Sequence, residues 1–271
     1  MYYQRLLNSQ IGNSPIGLVV IVIIICQARR RCFYLQEKMR KGEVIHIIKN
    51  PKDVLNKPRK KVNVIVSVYD GADFLEECLD SIQAQIFKPD KIILGIDGCK
   101  KSLKKIDEIR QKYDNLYVYA TKKNGGVYRM FNALSELVPD NQYIQFFGAD
   151  DRMFPDMLKE MQKNDRHAIS KHVGVLFIKA EDFRKVGGYR DWRCAADNDM
   201  ILRLRRYFQY HEVVMPILFY RRVHDKQLTV IYPPNTGLRQ EYYDITMENY
   251  KSLTPDIYIK PVKTKLYEYS G

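Results

Sequence analysis

Cysteine is scarce in this chain and badly spaced for pairing. The five residues (Cys26, Cys32, Cys78, Cys99 and Cys194) are odd in number and include no close CxxC pair. That excludes a disulfide framework and a zinc finger, and points to a reducing compartment. Glycine and proline are modest, at 14 and 11 of 271 residues, and there is no internal repeat or low-complexity tract. The composition is that of a globular chain with room for one large domain or two small ones.

A long hydrophobic run is also missing. The most apolar stretch, PIGLVVIVIIIC from Pro15 to Cys26, is twelve residues long, against the ~20 needed to span a bilayer. The uncharged window runs from Leu6 to Ala28, but polar residues dilute its first half. The basic cluster follows this core, and no small-residue cleavage site comes after it, which excludes a cleavable signal peptide. Acidic residues are rare here too. Residues 1–61 hold 13 Lys/Arg against 3 Asp/Glu, so about 10 of the +13 excess charges lie there. A nucleic-acid-binding fold spreads its basic face over the folded body. This charge sits beside an apolar stretch, which points to an anionic membrane surface and no nucleic acid. Arg29, Arg30 and Arg31 on its C-terminal side would leave the body in the cytoplasm. Residues 1–60 are therefore a candidate membrane anchor or interfacial segment. A buried helix, or an extension outside the functional domain, remains open.

What is present begins at Lys61. VNVIVSVY (62–69) is a β-branched run without helical spacing, which predicts a buried strand. ADFLEECLDSIQAQ (72–85) puts Phe74, Leu75, Cys78, Leu79 and Ile82 on one helical face. Further strands are predicted over 91–97, 116–121 and 143–148, and helices over 102–113 and 127–138. This alternation implies an α/β fold, with a mostly parallel central sheet flanked by helices. After Pro155 the pattern loosens: strands over 172–180 and 211–222, an amphipathic helix over 198–208, and one weak helix, LRQEYYDITMENYKSL. The body is read as 61–232 and the Tyr- and Lys-rich tail as 233–271.

Ligands of such sheets bind where the strands' carboxyl ends meet the loops. Three loops there carry candidate chemistry: SVYDGAD, IDGCKK and GADD. The last drives a strand, YIQFFG, into two adjacent carboxylates, Asp150 and Asp151. Neighbouring acids at a buried strand end repel each other and resist desolvation. Either water solvates them at a loop tip or a cation sits between them.

These loops fall within an ordered series: VNVIVSVYDGADFLEECLDSI, IILGIDGCKK, KKNGGVYRMFNAL, FFGADDRMFPDML, VGVLFIKAEDFRKVGGYRDWRCAADNDMILRL and FYRRVHDKQLT. The series, about Lys61 to Thr229, resembles the family 2 glycosyltransferases, inverting enzymes of the GT-A (nucleotide-diphospho-sugar transferase) fold. The resemblance implies a metal-dependent, hexosyltransferase-type enzyme of polysaccharide biosynthesis. It would move a sugar from a nucleotide-sugar donor, a UDP-sugar foremost, to a hydroxyl of a glycan or other acceptor. The cofactor it implies is Mn²⁺ or Mg²⁺, which favour oxygen ligands. Carried over by position, Ser67 and Tyr69 meet the base, the ring offering a face for stacking. Asp97 accepts from the base's ring N–H, and Asn132 holds the family's asparagine position beside the donor. Asp150 faces the ribose or sugar, Asp151 binds the metal, and His224 closes the metal site. Asp197 is the catalytic base that takes the acceptor's proton. Arg129 or Lys123 is a candidate phosphate contact, and Trp192 or Tyr189 a candidate platform for an acceptor sugar.

The same residues also have plainer readings: a packing tyrosine, a turn aspartate at Asp97, and a helix-capping acid at Asp197. Three family acids are replaced, by Ile96, Gly148 and Ala196, and only about 35 residues separate GADD from VGGY. These departures leave a second expectation standing, a catalytically inactive module that binds a nucleotide or glycan.

Overall fold

The structure, a computed structural model, describes residues 59–270. The basic segment expected over 1–60, with its candidate anchor, lies almost wholly outside the described residues. Among the described residues no helix is long and apolar enough to cross a membrane.

Four parallel strands form the centre: β1 (Val62–Val68), β2 (Lys91–Asp97), β3 (Leu116–Thr121) and β4 (Tyr143–Gly148), in the order β3-β2-β1-β4. Each lies where its apolar run predicts a strand. Between them run α1 (Ala72–Gln83), α2 (Lys100–Ile109) and α3 (Val127–Ser135). On one face Leu75, Cys78, Leu79 and Ile82 of α1 join Val62, Val64, Val66 and Val68 in one core. On the other, Met130, Phe131 and Leu134 of α3 pack with Ile65 and Ile93. Alternate β1 residues thus enter opposite cores, which is why the strand reads as an unbroken apolar run. Each such side chain contributes about 1.5–3 kcal/mol on full burial. Gly95 sets how closely α3 can approach: a Cβ there would collide with the Met130 side chain and lie 2.7 Å from Leu134 Cδ1.

After β4 come β5 (Arg152–Met153), α4 (Met157–Met161), β6 (Ala168–Ser170), β7 (Leu176–Lys179), α5 (Ala180–Lys185) and α6 (Ala196–Phe208). Then follow β8 (Val213–Met215), β9 (Phe219–Tyr220), α7 (Leu228–Ile231), α8 (Gly237–Lys251) and β10 (Tyr267–Glu268). The main sheet runs β10-β3-β2-β1-β4-β7-β6-β8. β7 is antiparallel to β4 and β6, and β10 is antiparallel to β3.

The predicted strand over 172–180 is strand only over 176–179. A turn precedes it, closed by Val175 N–H donating to the carbonyl of His172 at 3.0 Å. The predicted strand over 211–222 breaks at Pro216, which has no N–H for a ladder. Ser170 Oγ bridges the break, donating to Pro216 O and accepting from Leu218 N–H, both at 2.8 Å. The tail holds a fifteen-residue helix, α8, which packs on α6, and its last strand extends the main sheet.

Candidate functional site

The chemistry-bearing loops gather at the C-terminal ends of β1, β2 and β4. β4 ends at Gly148, and the chain turns at once into Asp150 and Asp151, Asp151 N–H donating back to Gly148 O. A Cβ built on Gly148 would lie 2.8 Å from Asp150 Oδ1 and 3.4 Å from Asp151 Oδ2. Both carboxylates therefore reach over one bare Cα into a cradle that any side chain would fill. Burial, and then the neighbouring charge of Asp150, push the Asp151 carboxyl up to about 7.

The segment after β9 closes this cradle. β5 and β9 form a separate antiparallel pair, Arg152 opposite Tyr220 and Met153 opposite Phe219, which brings residues 221–226 against the acids. Arg222 donates its backbone N–H to Asp151 Oδ1 at 2.9 Å and its Nε–H to Asp150 O at 3.0 Å. Its guanidinium also pairs with Glu77 and stands 4.7 Å over the Phe74 ring. His224 Nε2 lies 3.0 Å from Asp150 Oδ2. The histidine thus meets Asp150 rather than Asp151. Among the described residues, no three His, Cys, Asp or Glu side chains surround a single ion position. The two carboxylates over Gly148 do fit a hard cation, because Mg²⁺-type ions are held by one or two carboxylates together with substrate phosphates.

Ser67 aligns with Gly148 across β1 and β4, and Tyr69 just beyond is 60% exposed. Asp70, at φ +50°, is ion-paired with Lys226 at 2.6 Å, which ties this loop to the segment bearing His224. Asp97 is only 2% exposed. Its Oδ1 accepts from Gly125 N–H at 2.8 Å and Thr121 Oγ1 at 3.0 Å, and its Oδ2 from Gly126 N–H at 2.7 Å. Both oxygens therefore hold the Asn-Gly-Gly loop at the start of α3. Asn132 is likewise engaged: Nδ2 donates to Tyr189 O at 2.7 Å and Oδ1 accepts from Tyr189 N–H at 2.8 Å. Arg129, a candidate phosphate contact, is paired with Asp191.

Asp197 stands in the first turn of α6, where the helix dipole favours an anion. Its Oδ1 accepts from Asn198 N–H at 3.0 Å and from the Tyr128 hydroxyl at 3.3 Å. Two residues on, Asp199 does different work. It is 1% exposed and held by Arg203 Nε at 2.6 Å and Arg190 Nε at 2.9 Å. Arg203 also donates to Gly188 O and Val186 O, so this buried pair pins the Val-Gly-Gly turn to α6. Tyr189 is 1% exposed and packed against Phe131, Phe146 and Phe183, so it presents no face to an acceptor. Trp192 has Tyr242 of α8 stacked on it, with ring centroids 4.4 Å apart and 2° between planes.

Two residues that the motifs did not single out belong here. His172, in the turn before β7, has its pKa pushed down by burial, against an opposing pull from Asp197. Arg221 acts electrostatically on both Asp151 and His172. The signals available were a lone histidine two residues before a glycine, and a doubled arginine.

The profile described as Glycosyl transferase family 2 matches residues 63–245. An uncharacterised glycosyltransferase of Rickettsia typhi is 24% identical over 78% of this chain and 75% of its own length. Glycosyltransferase GlyA of Streptococcus pneumoniae is 29% identical over 38% of this chain, which is 15% of that larger protein. Among solved structures, residues 1–349 of Staphylococcus aureus TarS in complex with UDP-GlcNAc superpose with a TM-score of 0.57. The match has 14% identity and covers 72% of this chain and 68% of that one. The mannosyltransferase PcManGT of Pyrobaculum calidifontis, in complex with GDP-Man and Mn²⁺, gives 0.55 at 16% identity, covering 81% and 68%. These likenesses show the GT-A fold. With the profile spanning most of its length, the chain belongs to glycosyltransferase family 2.

Proposed function

We propose that the chain transfers a sugar, with inversion, from a nucleotide-sugar donor to a hydroxyl of a glycan-type acceptor, with Mn²⁺ or Mg²⁺ as cofactor. The observation that carries this is the convergence of Asp150 and Asp151 over Gly148, with Asp151 raised to about 7. Such a pair is costly unless a cation joins it. A bound dication neutralises charge developing on the leaving diphosphate. His224, bonded to Asp150, orients that carboxylate, as outer-shell partners of metal ligands do.

Ser67 and Tyr69 receive the base, a uridine foremost. Asp97 acts on it through the loop it anchors, since its oxygens already accept from three donors. Asn132 contributes in the same indirect way, by fixing Tyr189. Arg221 takes the phosphate role expected of Arg129. Its hydrogen bond goes to the neutral Thr229 hydroxyl at 2.9 Å, and its charge is felt on both sides of the site. Asp197 removes the acceptor's proton as the hydroxyl attacks the anomeric carbon. The missing acid at 148 does not favour an inactive module, because a side chain there would collide with Asp150. The basic segment over 1–60 attaches the enzyme to the cytoplasmic face of an anionic membrane.

Calorimetric titration with UDP- and GDP-sugars, with and without Mn²⁺, tests the reading. We expect metal-dependent binding that Asp151→Ala loses and Asp197→Ala keeps, with transfer abolished in both. No binding of any donor by the intact protein would remove the assignment.

A further inference from the structure

We propose that His172 contacts the acceptor beside Asp197, and that together they select acceptors carrying two adjacent hydroxyl groups, a vicinal diol. The proposal rests on the base role given to Asp197 above. Its geometric ground is Gly174. A Cβ built there would stand 3.1 Å from His172 Nδ1 and 3.3 Å from Asp197 Oδ2. Imidazole and carboxylate, from the turn before β7 and from the first turn of α6, thus close over one bare Cα.

The hydrogen bonds already made fix what each group has left to offer. Gly174 N–H donates to His172 Nδ1 at 3.2 Å, so in the neutral ring the proton sits on Nε2. Nε2 has no hydrogen-bond partner among the described residues. Asp197 Oδ1 is engaged by Asn198 and Tyr128, whereas Oδ2 faces Gly174. The pair therefore presents one acceptor, a carboxylate oxygen, and one donor, an imidazole N–H. Asp197, Arg221 of the segment after β9 and Arg239 of α8 are the charged groups acting on the ring. The Phe219 ring of β9 packs edge-on at 6.4 Å. Burial and the two arginines push the histidine pKa down, against the upward pull of Asp197, and so keep the donor form neutral.

A vicinal diol satisfies both groups at once. One hydroxyl gives its proton to Asp197 while its oxygen bonds to the anomeric carbon. The bond from that carbon to the diphosphate oxygen breaks, and the electron pair leaves with the diphosphate. The neighbouring hydroxyl accepts from His172 Nε2–H, and His172 keeps its proton throughout. An acceptor with a single hydroxyl leaves the imidazole donor unpaired, which a desolvated site penalises.

The test uses the full chain with Mn²⁺, UDP-N-acetylglucosamine and GDP-mannose as donors, and methyl glycosides with their monodeoxy analogues as acceptors. In the wild type, deleting the hydroxyl next to the reacting one should lower kcat/KM about 30-fold, mainly through KM. In His172→Ala the same deletion should cost less than about 3-fold, with donor Kd unchanged. His172→Gln, whose amide can donate, should restore part of the discrimination. Equal penalties in wild type and His172→Ala, with donor binding intact, overturn the diol assignment alone. Absence of donor binding in the wild type overturns the parent reading and this one with it. Should His172→Ala fail to fold, His172→Gln and His172→Phe carry the comparison, and equal discrimination in those two overturns the proposal.

Discussion

His224 and Asp150, 74 positions apart in the chain, meet with Nε2 3.0 Å from Oδ2. The contact depends on a two-residue strand pair, β5 with β9, that folds the segment after β9 back over the end of β4. Position is thus delivered by backbone pairing, and orientation by one hydrogen bond. Replacing His224 by Ala should leave the fold intact and weaken metal-dependent donor binding about tenfold, as loss of an outer-shell partner does. Calorimetry with and without Mn²⁺ measures it, and unchanged affinity would sever His224 from the donor site.

Gly148→Ala puts a methyl group where Asp150 Oδ1 is 2.8 Å away. The acids must swing apart. Donor binding should fall by at least about tenfold, with a stability loss near 1 kcal/mol, since the change is one methyl at a loop edge. A variant that binds donor normally would show that the cradle is not the metal seat.

Asp151→Asn should separate stability from activity. The carboxyl is raised to about 7, so the folded state favours its protonated form. That contribution is complete below pH ~4 and is lost as pH rises through 7. The asparagine variant should therefore match wild type near pH 4 and exceed it at pH 8 by on the order of 4 kcal/mol, while transfer is abolished. Urea unfolding at the two pH values, without added metal, reads the difference.

His167 carries the opposite sign. Its ring is 3% exposed, lies against Tyr210 at 5.3 Å, and has no hydrogen-bond partner at either nitrogen among the described residues. Burial pushes its pKa down to about 4. The neutral ring's contribution is whole above pH ~6.5 and is lost as pH falls toward 4, for a total on the order of 3 kcal/mol. His167→Phe should unfold like wild type at pH 7.5 and resist acid better at pH 5.

Asp199 and Asp197 should part company under the same substitution. Asp199→Ala strands Arg203, 2% exposed, without its carboxylate and should cost about 3–5 kcal/mol. Asp197→Ala should leave the melting temperature within a few degrees and remove transfer. Thermal melts set beside activity distinguish the structural acid from the proposed base.

The parallel half was legible because β1, β2 and β4 are buried on both faces and each helix shows one apolar side; β1 through β4 fall where the runs predict them. The loops carrying Tyr69, Asp97 and Asp150 could be located for the same reason. Beyond Pro155 the strands are two to four residues long, too short for a period of two to stand out. The break at Pro216 was visible in the chain, yet its rescue by Ser170 requires a partner 46 residues away. Nor could the run HVGVLF reveal that His172 faces Asp197, since only the fold brings the turn before β7 to the start of α6. Asp97 and Asn132 were legible as important positions, but the partners of their polar atoms were not.

The two-residue strand β10 lies along the outer flank of β3. Trimming residues 265–271 would bare a row of amide and carbonyl groups on a strand that carries Tyr117 and Tyr119, an adhesive margin for other copies. Shortened versions of this enzyme should consequently tend to clump in solution, even where their catalytic pocket is untouched.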